Sequence, residues 1–236
     1  MEGSLSDGIG SIRIGTRGLG YDPSVKPKAE RGTSGSRNAV RIIGGAWRGR
    51  RVHFPDAPAL RPTPDRVRET LFNWLQQDIP QARCLDLFAG SGALGLEALS
   101  RGASEVVFVE QSAAAVSMLR AELERLGAGA RATLLEADAS AFLARPAAPF
   151  DGVFLDPPFG QGALSQYVRL LDAGGWVKPD GWVYLESERS AGTPALPSAQ
   201  WELRKSKYAG EVGYHLARIA PRPPAGVRAA SHSESS

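Results

Sequence analysis

Two short stretches hold residue types that can act together chemically: DLFAGSGALG (86–95) and DPPF (156–159). Each closes an apolar, strand-like run, RCLDLF (83–88) and GVFLD (152–156). In open parallel sheets, ligands bind beyond the carboxyl ends of strands, where strand order reverses. Gly90 and Gly92 permit a tight turn and close approach of backbone to a ligand. A glycine-rich turn of this kind is also common as plain packing, so its surroundings must decide. Glu110 ends the next run, EVVFVE (105–110), 24 residues after Asp86. A carboxylate there is placed to accept both hydroxyls of a ribose. Asp138 follows ATLLEA (132–137) and can reach an adenine amino group. The set points to an adenosine-containing ligand.

Charge selects among such ligands. Phe88 replaces the first glycine of the dinucleotide fingerprint, and Asp86 precedes the turn. A carboxylate at that loop repels a pyrophosphate but can hold a cationic amino-acid moiety. That favours S-adenosylmethionine (SAM) over a nicotinamide dinucleotide. In the second stretch, Pro157 and Pro158 each fix φ near −65° and lack an N–H, leaving rigid carbonyl acceptors beside the Asp156 carboxylate. Two acceptors, Asp156 and the Pro157 carbonyl, suit the two N–H groups of a planar exocyclic amine. Phe159 can stack on the base that bears it, a contact worth ~1–3 kcal/mol. The expected chemistry is attack of that amine on a sulfonium methyl, with positioning as the main contribution of the protein.

The surrounding sequence supplies the elements that hold these residues. The five apolar runs are those named above and GWVYLES (181–187), with helical stretches at 93–101, 112–126, 138–145 and 162–174. Strands alternating with helices over more than 100 residues indicate an α/β fold with a mostly parallel, doubly wound sheet. WELRKSKY and EVGYHLARI flank Ala209-Gly210 and read as a C-terminal antiparallel hairpin. Upstream, VRIIGGAWRGRRVH (40–53) reads as a hairpin turning near Gly44-Gly45 or Arg48-Gly49. Thr63 or Asp65 then caps a helix reaching about Gln77. Val67, Leu71, Trp74 and Leu75 lie on its apolar side; Arg66, Arg68 and Glu69 lie on its polar side.

The division expected is a disordered extension (1–38), a basic hairpin and helix (39–78), a catalytic domain (79–220) and a disordered tail (221–236). The Gly, Ser, Arg and Pro of the first segment show no apolar period. The net charge of +3 is unevenly spread, at +4 over 41–70 and −6 over 71–200. A basic flank on an acidic body suits a polyanion, and equally a solvated surface. No apolar run reaches the ~18–20 residues of a membrane span. The N-terminus lacks the pattern of a secretory signal. A single cysteine excludes an internal disulfide, so a cytoplasmic protein is expected. Three scattered histidines with that cysteine argue against a metal site.

Other residues read as structural. Cys84 belongs inside the first strand, and Trp176 and Trp182 are packing residues. Trp47 is read as core, although an aromatic among arginines can stack on a base. His53 is a surface residue, and His215 lacks the partners of a triad.

RIIGGAWRGRRV (41–52), RPTPDRVRETLFNWL (61–75), CLDLFAGSGALGLEALSRGA (84–103) and FLDPPF (154–159) resemble the RsmD family, as do GWVYLESE (181–188) and YAGEVGYHL (208–216). These are class I SAM-dependent methyltransferases with a Rossmann-like sheet. They act on the exocyclic N2 of a guanine in bacterial 16S rRNA. The resemblance covers about residues 40–220. It implies that Asp86, Phe88, Ala89, Gly90, Ser91 and Gly92 form the SAM loop, with Glu110 and Gln111 at the ribose and Asp138 and Ala139 at the adenine. It further implies that Asp156, Pro157, Pro158 and Phe159 hold the target guanine. Arg48, Arg50, Arg51, Arg61, Arg66 and Arg68 are implied to grip RNA, in a segment closing over the methionine end of SAM. The partner implied is 16S rRNA in the small (30S) ribosomal subunit, at a site of the guanine 966 type, met by a monomer. Gln111-Ser112 after Glu110 departs from the usual pattern and is expected to tune cofactor affinity only.

Three rivals stand beside this reading. An adenine-N6 methyltransferase uses the same acceptor turn, but that motif more often ends in Tyr or Trp and travels with a recognition insert. A glutamine methyltransferase would want Asn at position 156. A non-catalytic RNA-binding assembly factor would tolerate a broken SAM loop or DPPF turn, and both are intact.

Overall fold

The computed structural model describes residues 38–55, 62–158 and 163–221, together with the backbone of Ile12–Arg13. Five strands run parallel: β4 (Arg83–Asp86), β5 (Glu105–Glu110), β6 (Ala132–Glu136), β7 (Phe150–Leu155) and β8 (Val177–Glu188). The sheet order is β1-β6-β5-β4-β7-β8-β10-β9. β10 (Val212–Ile219) inserts antiparallel between β8 and β9 (Trp201–Ala209), as the predicted hairpin requires. β1 (Ile12–Arg13) adds a two-residue antiparallel edge beside Leu134 and Thr133, within a segment expected to be disordered. The rest of that extension and the tail past 221 lie outside the described residues.

Helices cover both faces because the central strands are apolar on both. On one face, α1 (Asp65–Trp74), α2 (Ala93–Ser100) and α3 (Ala113–Leu126) pack Phe72, Leu96 and Leu123 near Phe108, Phe154 and Trp182. On the other, α4 (Ala139–Leu143) and α5 (Ala163–Gly174) set Phe142 and Val168 against a layer containing Val109, Val153 and Leu185. Cys84, Trp47, Trp176 and Trp182 are all buried, as their reading as core requires.

β2 (Asn38–Arg41) and β3 (Arg51–Phe54) form the N-terminal hairpin as a separate two-stranded sheet. Its loop docks on the end of α2. Ile43 and Gly44 donate their N–H groups to the Glu97 carboxylate, each at 2.8 Å, and Ala46 N–H reaches the Ser100 carbonyl at 2.7 Å. Gly45 has φ +75°, and a Cβ there would lie 1.9 Å from the Ser100 carbonyl oxygen, so only glycine allows this approach. Glu97 also takes Arg101 Nε at 2.7 Å, and Arg68 Nη1 lies 3.6 Å from it. His53 is tied to Glu122 on α3 through both its N–H and Nδ1, each at 3.0 Å.

Three expectations for α1 are corrected. Its N-cap is Pro64 with no side-chain capping bond, and it ends at Trp74 rather than near Gln77. The Thr63 hydroxyl is drawn elsewhere, to Glu186 on β8 at 3.1 Å. Arg68 is not on a polar face. It is fully buried, and its guanidinium donates to the carbonyls of Thr63 and Arg41 and to Asp65 at 2.5 Å. A cation so enclosed fastens α1 to the hairpin and is removed from the set of RNA contacts.

Candidate active site

Strand order reverses between β4 and β7, and Asp86 at the end of β4, opposite Phe154, and Asp156 just past the end of β7 both lie at that crevice. After β4 the chain turns through Phe88 to Gly92. Gly92, at φ +75°, is the N-cap of α2, and a Cβ there would press within 2.5 Å of Leu119. The carboxylate of Glu110 reaches across from β5: one oxygen accepts Gly90 N–H at 2.8 Å and the other accepts Ser112 N–H at 2.7 Å. Glu110 therefore shapes the glycine turn, and a carboxylate retains lone pairs beyond those two bonds for sugar hydroxyls. Ala89 and Ser91 are buried, Gln111 is exposed, and Phe88 meets Tyr167 edge-on at 4.8 Å. Asp138 is exposed and caps α4 by accepting Ala141 N–H at 3.0 Å, with Ala139 buried behind it. Every proposed cofactor residue thus lies at the carboxyl edge of β4, β5 or β6.

Asp86 is 2% exposed and accepts Gly95 N–H at 2.9 Å. Burial, reinforced by the Glu110 charge, pushes its pKa up to about 7. A buried carboxyl of this kind is stabilised in its ionised form by a cation. The donor set, two carboxylates around a glycine turn with no basic side chain in it, fits a ribose and an ammonium better than a pyrophosphate.

Around Asp156 the structure adds three residues absent from the expected site. Thr63, from the loop before α1, donates its hydroxyl to Glu186 at 3.1 Å and lies close enough to Asp156 to lower its pKa. Glu186 is 4% exposed and also accepts the Tyr184 hydroxyl at 2.7 Å. Burial, then the charges of Glu186 and Asp86, hold the Asp156 carboxyl well above the usual range. Burial likewise raises Glu186. Asp156 is half-buried and Glu186 buried, and two neighbouring carboxyls whose pKa values are both raised favour retaining a proton between them. The signal for Glu186 lay in GWVYLES, where a lone acid interrupts an apolar strand. Thr63 carried no such signal, since its cap reading sufficed. Pro157 is buried and Pro158 exposed, while Phe159 lies outside the described residues.

A cleft of about 460 Å³ opens beside Thr63, lined also by Arg41, Arg51, Pro62 and Asp65. Arg48, Arg50, Arg51 and Arg66 are exposed, Arg51 at this cleft, and among the described residues none forms an ion pair with a carboxylate. Arg61 lies outside the described residues. The cleft thus joins the hairpin and α1 at Thr63, whose hydroxyl bonds Glu186 of the acceptor site.

The parallel sheet with its antiparallel β10 and the ligand crevice at the β4/β7 reversal define a Rossmann-like class I methyltransferase. Residues 40–218 match the family model described as Conserved hypothetical protein 95. Ribosomal RNA small subunit methyltransferase D of Escherichia coli is 50% identical over 177 residues, which cover 75% of this chain and 88% of the relative. The protein of the same name from Haemophilus influenzae is 42% identical, covering 78% and 96%. The solved structure of E. coli yhhF superposes with TM-score 0.73 at 45% identity, over 78% of this chain and all of that one. This chain belongs to the RsmD family of methyltransferases.

Proposed function

We propose that the protein transfers the methyl group of SAM to the exocyclic N2 of a guanine in 16S rRNA, within the small ribosomal subunit. The class of activity, a small-subunit rRNA methyltransferase, follows from the family. The finer assignment rests on one observation: a rigid acceptor turn whose carboxyl, Asp156, just past the end of β7, lies within the electrostatic reach of both Asp86 on neighbouring β4 and Glu186, which takes the Thr63 hydroxyl.

SAM supplies a methyl group on a cationic sulfonium. Asp86 compensates the cationic methionine end and Glu110 binds the ribose, with Asp138 at the adenine edge. Asp156 and the Pro157 carbonyl each accept an N–H of the guanine amine, withdrawing its nitrogen lone pair from the ring, and Phe159 stacks on the base. After the nitrogen gains its methyl it sheds one proton, which Asp156 accepts when the Asp156–Glu186 pair has an open protonation site. Arg48, Arg50, Arg51, Arg61 and Arg66 bind the RNA backbone, and the target guanine is turned out of its loop to reach the crevice. The protein works as a monomer in the cytoplasm, where its substrate is assembled.

The decisive test is transfer of labelled methyl from SAM to small subunits lacking the modification, followed by nucleoside analysis. Label in N2-methylguanosine is expected. Label in N6-methyladenosine would keep the acceptor turn and replace the base.

A further inference from the structure

We propose that Glu186 reads the target base: its carboxylate accepts the ring N1–H of guanine while the Asp156 turn holds the exocyclic amine, and this selects guanine over adenine. The inference rests on the guanine reading above and assigns the residue that enforces it. Glu186 stands where a second acceptor is needed. The last registered partners of β7 and β8 are Leu155 and Leu185, and Asp156 and Glu186 follow them on strands ~4.8 Å apart. Their closeness is felt electrostatically, since after burial the Glu186 charge is the next cause of the raised Asp156 pKa. Thr63, which donates to Glu186, also lines the cleft of about 460 Å³ beside the hairpin, so this carboxylate lies one side chain away from open space.

The bonds around Glu186 fix how it can act. The Thr63 hydroxyl donates to Oε2 at 3.1 Å, and the Tyr184 hydroxyl donates to the same atom at 2.7 Å. Burial pushes the Tyr184 hydroxyl well above its ordinary pKa, so it keeps its proton and remains a donor. Among the described residues no donor reaches the other oxygen, Oε1, although Glu186 is only 4% exposed. A buried carboxylate oxygen without a hydrogen bond costs free energy, so Oε1 calls for a donor from the ligand. The two hydroxyls also oppose the effect of burial and draw Glu186 toward its ionised form, which only accepts.

Guanine supplies that donor and adenine does not. On guanine the exocyclic amine is flanked by N1–H on one side and by the N3 lone pair on the other. With the amine hydrogens taken by Asp156 and the Pro157 carbonyl, N1–H is the next donor along the edge. On adenine the amine is flanked by the lone pairs of N1 and N7, so a carboxylate beside it meets an acceptor in either orientation. A base turned out of its strand is read along this Watson–Crick edge. Two acceptors forced together without a proton between them penalise the wrong base, because neither keeps the hydrogen bonds it had in water.

The test measures transfer of labelled methyl by the full chain to small subunits carrying either guanine or 2-aminopurine at the methylated position. 2-Aminopurine keeps the amine and has a lone pair in place of N1–H. We expect wild type to use 2-aminopurine with kcat/KM lower by about 10–100-fold, the scale of one hydrogen bond to a charged group. Glu186→Gln slows transfer to guanine without abolishing it and loses most of the preference for guanine over 2-aminopurine, a coupling between residue and base. Its SAM affinity stays at the wild-type value, which also reports an intact fold. A purely structural Glu186 would make the variant slower by the same factor on both bases, and that outcome overturns the proposal while leaving the functional reading in place. A wild type that uses 2-aminopurine as readily as guanine overturns it too, whatever the variant does. Absence of wild-type transfer to guanine-bearing subunits, or label in N6-methyladenosine, would remove the guanine reading and this inference with it.

Discussion

At the scale of single residues, the acceptor site is an arrangement of acids that disagree about their protons. Asp156→Ala is expected to abolish methyl transfer with SAM affinity little changed, as measured by calorimetry beside a single-turnover assay. Glu186→Gln should behave differently. The Glu186 charge is one cause of the raised Asp156 pKa, so its removal moves the rising acid limb of the kcat/KM profile to lower pH while transfer persists. A limb that stays in place would show that the two carboxyls titrate independently. Asp86 offers a second pH dependence. With its pKa near 7, its ionised fraction grows between pH ~5 and ~8, and SAM affinity should climb over that window and then level. Folding stability runs the opposite way. The folded state holds this proton more tightly than the unfolded chain does, so the contribution of Asp86 is full below pH ~4 and is lost as pH rises to ~7. Asp86→Asn, which retains an oxygen acceptor for Gly95, should flatten both curves in SAM titration and urea denaturation.

At the scale of elements, the buried carboxylate of Glu97 anchors the hairpin loop to the catalytic body, beside the ties to Ser100 and Glu122. Glu97 satisfies two loop N–H groups and Arg101, and it faces the buried Arg68. Glu97→Ala leaves two loop N–H donors without a partner and takes one of two carboxylates from the buried Arg68, a loss on the order of 3–5 kcal/mol. Urea denaturation should show it, and hydrogen exchange should show the largest loss of protection over residues 38–54. Comparable loss across β4 and β5 would mean that the hairpin is integral to the core and not merely docked. The elements themselves were largely legible beforehand: β5 spans 105–110 as predicted, and α3 spans 113–126 where 112–126 was expected. Those spans are set by local period, which survives tertiary context when a segment is long and strongly patterned. The cap of α1 was not legible, because Thr63 looks like a cap in one dimension and is claimed by Glu186, 123 residues away, in three.

At the scale of the whole molecule, charge is separated, with exposed arginines on the hairpin and helix and an acidic interior at the crevice. Replacing Arg48, Arg50 and Arg51 together with alanine should weaken RNA binding at low salt. It should also reduce the slope of log K against log salt by ~0.7–0.9 for each phosphate contact removed. A titration of rRNA binding against salt concentration measures this, and an unchanged slope would assign these cations to solubility alone.

The sequence by itself determined the alternation of strands and helices, the positions of the glycine turn and the Asp-Pro-Pro turn, and the carboxylate closing β5. All of these are written in residue types and short spacings. It also assigned Trp47 and Cys84 to the core, because apolar character decides burial wherever no polar partner competes. Only the tertiary structure decided which ionisable groups are buried and which face solvent. Arg68 and Arg66 look alike in the chain, yet one is enclosed by Thr63, Arg41 and Asp65 while the other lines an open cleft. The tertiary structure also joined Thr63, Glu186 and Asp156 into one site. A buried charge is tolerated only where partners surround it, and those partners come from distant elements whose meeting no local spacing records.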